Sequence, residues 1–175
     1  LAQHVGQHQA SAFFRNASVF SYFNGGQRLP GTLVGNVLLE SFPTGWAWYI
    51  PLTDSLTSVG VVLHHPATAR LRGDRERVFA ECLAQCRYIN EYLRDAHRVS
   101  DGQYAPLRLR TEFSYAHSRF WKPGALLVGD AACFVDVILS SGVHLATFGA
   151  LQAARAINTE LAGSLPQRLC MNEFE

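Results

Sequence analysis

The chain has 175 residues, of which 48% are hydrophobic and 17% charged, and its formal net charge is +1 at pH 7. This length suits one domain that is large enough to bury a core. The near-zero charge gives no electrostatic reason to expect nucleic acid or an acidic membrane as a partner. Because no run of about 18 apolar residues occurs, we expect no transmembrane span.

The first part of the chain predicts an antiparallel sheet. Four segments rich in aromatic and β-branched residues are separated by short turns, as in sheets of this kind: 13–23, 33–42, 46–51 and 57–65. Asn24-Gly25-Gly26 predicts a hairpin after the first strand, and alternation near residues 107–114 indicates a further strand. Apolar residues at helical spacing predict one helix over 74–94, starting at Asp74.

The second part of the chain predicts a strand and a long helix. Ala125 to Val128 form a short apolar run that ends at Gly129-Asp130, which predicts a buried strand ending in a polar turn. Ser140-Ser141-Gly142 then precedes a helical pattern over 142–162. We therefore divide the chain into a sheet domain (1–115), a returning strand and helix (116–163) and a polar tail (164–175).

The Gly-Asp turn and the helix start suit a bound ligand. A carboxylate at a strand end can accept hydrogen bonds from ligand hydroxyls. A helix N-terminus offers free N–H groups and a partial positive charge, which favour an anion. The alternatives are a turn or capping aspartate and a serine cap without any ligand. The spacing of the four cysteines, Cys82, Cys86, Cys133 and Cys170, predicts structural thiols and no metal site.

Two motifs carry a family resemblance: GWAWYIP at 45–51 and GDAACFVDVILSSGVHLA at 129–146. Together they strongly resemble the flavin-dependent halogenases, which belong to the flavoprotein aromatic monooxygenases. The resemblance runs from about Phe14 to about Ala162. It implies a mixed α+β or α/β fold, with an antiparallel substrate-domain sheet, a crossing helix, and the last strand and helix of an FAD-binding domain.

The chain contains no Gly-x-Gly-x-x-Gly after a strand. Given the resemblance, we expect the nucleotide-binding segment and the catalytic lysine to lie upstream of this chain. The chain would then be an internal fragment that is inactive alone.

The resemblance also implies roles for single residues. Trp46 and Trp48 would wall the substrate from the flavin, and Ser140 would border the substrate side of the same site. Chloride would bind at Ser141 and Gly142. FAD, in its reduced form, would bind at Gly129, Asp130, Gly142 and Val143.

The substrate class follows from Leu139, which precedes Ser-Ser-Gly. Relatives that act on free tryptophan usually carry glutamate there, so an apolar residue favours a phenol or pyrrole, either free or tethered to a carrier protein. The expected reaction is chlorination through a flavin hydroperoxide and hypohalous acid, in cytoplasmic secondary metabolism such as antibiotic biosynthesis, with FADH₂ supplied by a separate flavin reductase.

Two alternatives remain open, a flavin-dependent aromatic hydroxylase of the same fold and a cofactor-free β-rich binding module. The GWAWYIP motif argues against the hydroxylase. The Gly-Asp turn and the Ser-Ser-Gly helix start argue against the binding module.

Overall fold

The computed structural model of the chain describes residues 2–111, 113–138 and 140–175. The strands of this described part are β1 His8–Ala10, β2 Ala17–Asn24, β3 Leu38–Phe42, β4 Gly45–Pro51, β5 Leu56–Leu63, β6 His97–Arg98, β7 Arg108–Thr111, β8 Tyr115–His117, β9 Trp121–Lys122, β10 Ala125–Leu126 and β11 Cys133–Phe134. The α-helices are α1 Arg75–Leu83, α2 Arg87–Tyr92, α3 Ser141–Leu161 and α4 Gln167–Phe174. Short 3₁₀ turns lie at Ala2–His4, Gly31–Leu33, Ala67–Arg72, Gly102–Tyr104 and Gly129–Ala131.

The chain divides into two compact units. The sheet unit is Asn16–Thr111, and the helix unit combines Leu1–Arg15 with Glu112–Glu175. The sequence instead places residues 1–15 in the sheet domain. The difference arises because β1 pairs antiparallel with β8, where His8 lies opposite His117. A three-residue strand with exposed side chains carries too weak a pattern to show its partner.

The sheet unit is a six-stranded antiparallel sheet, as predicted. The strand order is β3-β4-β5-β2-β6, and β7 also pairs with β2. Because side chains alternate between faces along a strand, the register gives two distinct faces. Val19 lies opposite Val61, and Ala47 also lies opposite Val61, so these three residues share one face.

This first face and the helices α1 and α2 enclose the core of the sheet unit. The strands there are rich in valine, which packs well on a pleated surface. Several side chains in this core are fully buried, and the largest of them include Tyr49, Leu63, Ile89, Val19, Val59 and Val61. The helices add Val78, Phe79, Cys82, Leu83 and Cys86.

The predicted helix over 74–94 is wrong as one element, because the structure breaks it into α1 and α2. Asp74 does cap the start of α1, accepting from the backbone N–H of Arg77 at 3.1 Å. At the break, the amide of Asn90 donates to the carbonyls of Leu83 and Cys86. The carboxylate of Glu40 accepts from the first backbone N–H groups of α2. These side chains satisfy the backbone groups that the break exposes.

The predicted hairpin at Asn24-Gly25-Gly26 is also wrong. Gly25 does turn the chain, with φ at +78°, but β2 pairs with β5, β6 and β7 and not with β3. Arg28 instead links the residues after β2 to the loop before β5 and to β5 itself. Its guanidinium donates to the carbonyls of Gly26 and Thr53 and to the hydroxyl of Thr57.

The helix unit contains the small sheet β1-β8-β11, the hairpin β9-β10, and the helices α3 and α4. The predicted polar tail is wrong, because most of it forms α4. Cys170 and Met171 on α4 are buried against Ala156 on α3, with Trp121 and Leu126 packed beside them. Among the described residues, no helix is long and apolar enough to cross a membrane.

Candidate functional site

The Gly129-Asp130 turn is built differently from the prediction. β10 covers only Ala125–Leu126, and a 3₁₀ turn at Gly129–Ala131 carries Asp130, whose side chain is exposed. Gly129 has φ at +56°, a region that favours glycine. A Cβ on Gly129 would lie 3.0 Å from the Cβ of Ala146. Glycine thus lets the turn both reverse the chain and pack closely on α3.

Two side chains of β8 hold this turn in place. The Tyr115 hydroxyl donates to the carbonyl of Asp130 at 2.5 Å. The buried ring of His117 places Nδ1 3.2 Å from the carbonyl of Ala132. Since a carbonyl only accepts, Nδ1 carries the hydrogen. Both acceptor carbonyls are 15 residues further along the chain, so the contact made by His117 could not be predicted from the sequence.

The surroundings of Tyr115 favour its protonated form, which can donate a hydrogen bond. Burial raises the pKa of Tyr115, and the negative charge of Asp130 raises it further. Burial and Asp130 likewise raise the pKa of the Cys133 thiol. At neutral pH the Tyr115 hydroxyl therefore keeps its proton and can donate to the Asp130 carbonyl.

The N-terminus of α3 lies close to this turn. Ser140 precedes α3 in the left-handed conformation, with φ at 51° and ψ at 33°, and its side chain makes no capping hydrogen bond. The first-turn N–H groups of α3 are therefore left without a serine cap, and they can donate to an anion. Gly142 does not have a positive φ, and a Cβ there would meet Phe134 at an ordinary 3.6 Å.

A cavity of about 450 Å³ joins the turn and the helix start. Its lining contains all four residues that the sequence assigns to the cofactor, and its lining residues are Val128, Gly129, Asp130, Phe134, Gly142, Val143 and Ala146. The wall is mainly apolar, with one carboxylate at the turn and the start of a helix. This donor and acceptor set fits a ring system with a hydroxylated side chain, which is the chemistry of a flavin.

The tryptophan pair lies in the sheet unit, on the second face of the sheet. Trp46 and Trp48 are both buried, with ring centroids 6.0 Å apart. Trp48 also packs on Phe20 at 5.6 Å, and its Nε1 donates to the Ser58 hydroxyl at 3.1 Å. The contacts to Phe20 and Ser58 are invisible in the sequence, because the partners lie on other strands.

Three further sequence predictions concern Leu139, metal ligands and the cysteines. Leu139 lies outside the described residues. Within the described part of the chain, no group of three or more His, Cys, Asp or Glu side chains is arranged to hold a metal ion. All four cysteines are free thiols, of which Cys133 is only partly buried.

Comparison with known proteins identifies the family to which this fold belongs. The family model described as tryptophan halogenase matches residues 16–175. The chain belongs to this halogenase family. The halogenase prediction from the two motifs is thereby confirmed at the level of the family.

Individual relatives and solved structures agree with this assignment. The tryptophan 2-halogenase of Chondromyces crocatus is 32% identical over 154 residues, which are 87% of this chain and 29% of the relative. The flavin-dependent halogenase armH4 of Armillaria mellea is 35% identical, over 84% of this chain and 30% of the relative. The structure of the myxobacterial chondrochloren halogenase CndH superposes with a TM-score of 0.87 and 48% identity, over 99% of this chain and 40% of that one. The chain thus spans about a third of the length of these proteins.

Proposed function

We propose that the protein carrying this chain is a flavin-dependent halogenase that chlorinates an electron-rich aromatic compound, a phenol or a pyrrole. Flavin-dependent halogenases use reduced FAD and a halide. The observation that carries the proposal is the cavity in which Gly129, Asp130, Gly142 and Val143 meet. Its apolar wall, single carboxylate and helix start match the groups that a flavin and a halide require.

Each residue has a separate task in this proposal. Asp130 accepts hydrogen bonds from the flavin's ribityl hydroxyls, and its exposed position leaves both oxygens available. The N–H groups at Ser141 and Gly142 bind chloride, and the helix dipole favours the negative charge. Ser140 borders the substrate side. Bound reduced flavin supplies the activation of O₂ that oxidises chloride.

Trp46 and Trp48 exclude the aromatic substrate from direct reaction at the flavin. Their rings are rigidly packed, because Trp48 bonds to Ser58 and both indoles are buried.

The substrate class is supported by the Leu139-Ser140-Ser141-Gly142 sequence. A separate flavin reductase supplies the reduced cofactor, and we place the reaction in the cytoplasm. The substrate is either free or tethered to a carrier protein, and an assay with both forms of the substrate distinguishes the two cases.

The test is an assay of the complete protein with FAD, NADH, a flavin reductase, O₂ and chloride. Separate reactions contain a phenol, a pyrrole, the same compounds as carrier-protein thioesters, and free tryptophan. Mass spectrometry is expected to detect the chlorine isotope pattern on a phenol or pyrrole, and reactions without chloride are the control. Chlorination of tryptophan alone would contradict the substrate class. Hydroxylated products alone would contradict the halogenase.

A further inference from the structure

The indole of Trp48 lies across strand β5 in a space that only glycine leaves open. Gly60 on β5 is opposite both Trp48 and Phe20 in the sheet register. A Cβ built on Gly60 would come within 2.3 Å of Trp48 Cζ2 and within 2.6 Å of the Phe20 Cβ. Real atoms do not approach so closely, so any larger residue at position 60 must displace the ring. Because Gly60 has no side chain, the Trp48 indole can occupy this position over β5.

A hydrogen bond fixes the rotation of the same ring. Trp48 Nε1 donates to Ser58 Oγ at 3.1 Å, and both residues are buried. Ser58 precedes Gly60 by two residues on β5, so it lies on the same face of the sheet. A buried indole N–H without an acceptor is costly. The ring orientation that uses Ser58 is therefore favoured over others.

We propose that Ser58 and Gly60 are positioning residues, which fix the Trp48 indole over β5 and so support the role proposed for Trp48, the exclusion of the substrate from direct reaction at the flavin. The functional half of this inference rests on the proposed halogenase activity. The structural half does not, because it concerns only the packing within the sheet unit. Ser58 acts through its hydroxyl, and Gly60 acts through the space above its Cα.

The structural half is tested by NMR, from the hydrogen exchange of the Trp48 indole N–H, with Trp48→Phe to assign the resonance. Ser58→Ala is expected to accelerate exchange about 2- to 10-fold, the effect of one lost hydrogen bond. Ser58→Thr keeps the hydroxyl and is expected to exchange like the native protein. Ser18→Ala is the matched control, since Ser18 is a buried serine on the same face, at the level of Trp46. Unchanged exchange in Ser58→Ala overturns the proposal.

The functional half is tested by the ratio of chlorinated to hydroxylated product in the complete enzyme. Ser58→Ala is expected to lower this ratio about 2- to 10-fold, whereas Ser58→Thr and Ser18→Ala keep it. Gly60→Ala is expected to lower it further. If Gly60→Ala does not fold, the two Ser58 variants decide. A native ratio in Ser58→Ala with accelerated exchange overturns the functional half. A native enzyme that forms no chlorinated product contradicts the proposed function, and the exchange measurement still decides the positioning role.

Discussion

The two compact units bury their apolar residues to different extents. The sheet unit encloses a continuous core, in which Val59, Val61 and Leu63 are fully buried. In the helix unit, by contrast, α3 exposes large apolar side chains along its length, including Val143 at 75% and Leu161 at 79% exposed. The cavity with the candidate cofactor residues belongs to this more open helix unit. The continuous buried core and the candidate cofactor cavity thus lie in different units of the chain.

The largest expected effect is on stability, and it is measured by replacing one leucine with alanine in each unit. The two variants test whether the units differ in how tightly they are packed. Leu63→Ala removes a fully buried side chain, and we expect it to lower the free energy of unfolding by about 2–5 kcal/mol. Leu161→Ala removes an exposed side chain from α3, and we expect a change within about 0.5 kcal/mol. Urea unfolding of both variants of this chain measures the two values. Equal losses would show that the two units do not differ in packing.

Asp130→Ala is expected to separate ligand binding from stability. Because Asp130 is exposed, its loss should leave the melting temperature unchanged. Loss of hydrogen bonds to a charged acceptor costs about 1.5–3 kcal/mol, so we expect FAD affinity to fall about 10- to 150-fold. Equilibrium dialysis of the complete protein measures the affinity. The control is Asp54→Ala, an exposed aspartate of the sheet unit, and if both variants bind FAD equally, Asp130 has no part in the site.

The buried thiols of the sheet unit predict a pH dependence. Burial raises the pKa of Cys86 from 9.0 to about 12. The folded thiol therefore keeps its proton at pH values where the unfolded thiol loses it. The resulting stabilisation is present below pH 9 and is lost as the pH rises towards 12, by up to about 1.4 kcal/mol per pH unit. Unfolding measured between pH 8 and 11 should show a shallower decline in Cys86→Ala, and an identical slope would disprove this contribution.

A smaller effect on FAD affinity is expected from a substitution that loosens the Gly129-Asp130 turn. Tyr115→Phe removes the hydroxyl that donates to the Asp130 carbonyl and keeps the ring that packs beside His8. One neutral hydrogen bond contributes about 0.5–1.5 kcal/mol, so FAD binding should weaken about 2- to 10-fold. Binding titrations of the complete protein check this value. Native affinity would mean that the backbone alone holds the turn.

The sequence predicts those elements that depend on local patterns. Alternation and turn residues locate β4 and β5 to within two residues, and Asp74 and the Ser-Ser-Gly sequence locate the starts of α1 and α3. The break between α1 and α2 could not be predicted, because the Glu40 carboxylate that caps α2 lies 48 residues from the N–H it accepts. The packing of α4 on α3 could not be predicted either, because the polar composition of the last residues indicates a tail.

The candidate site shows the same limit. The residue types of the cavity follow from the second motif, since Gly129, Asp130 and Gly142 all belong to residues 129–146. The contacts that orient the turn come from another element, since the Tyr115 hydroxyl that donates to the Asp130 carbonyl lies on β8. In the sheet unit, the space at Gly60 on β5 likewise sets the position of Trp48 on β4. A single sequence does not record which strands become neighbours, so contacts of this kind require the structure.

The cavity between the Gly129-Asp130 turn and the start of α3 is the proposed site of flavin and halide, and Gly142→Ala tests this proposal most directly. Alanine is a good helix former, and its Cβ would meet Phe134 at an ordinary 3.6 Å. Folding should therefore be preserved, while the new methyl group crowds the cavity. We predict an unchanged melting temperature together with a raised chloride requirement and a lower chlorination rate in the complete enzyme. A normal melt with native chloride saturation would contradict the account and leave Ser-Ser-Gly as a helix start alone.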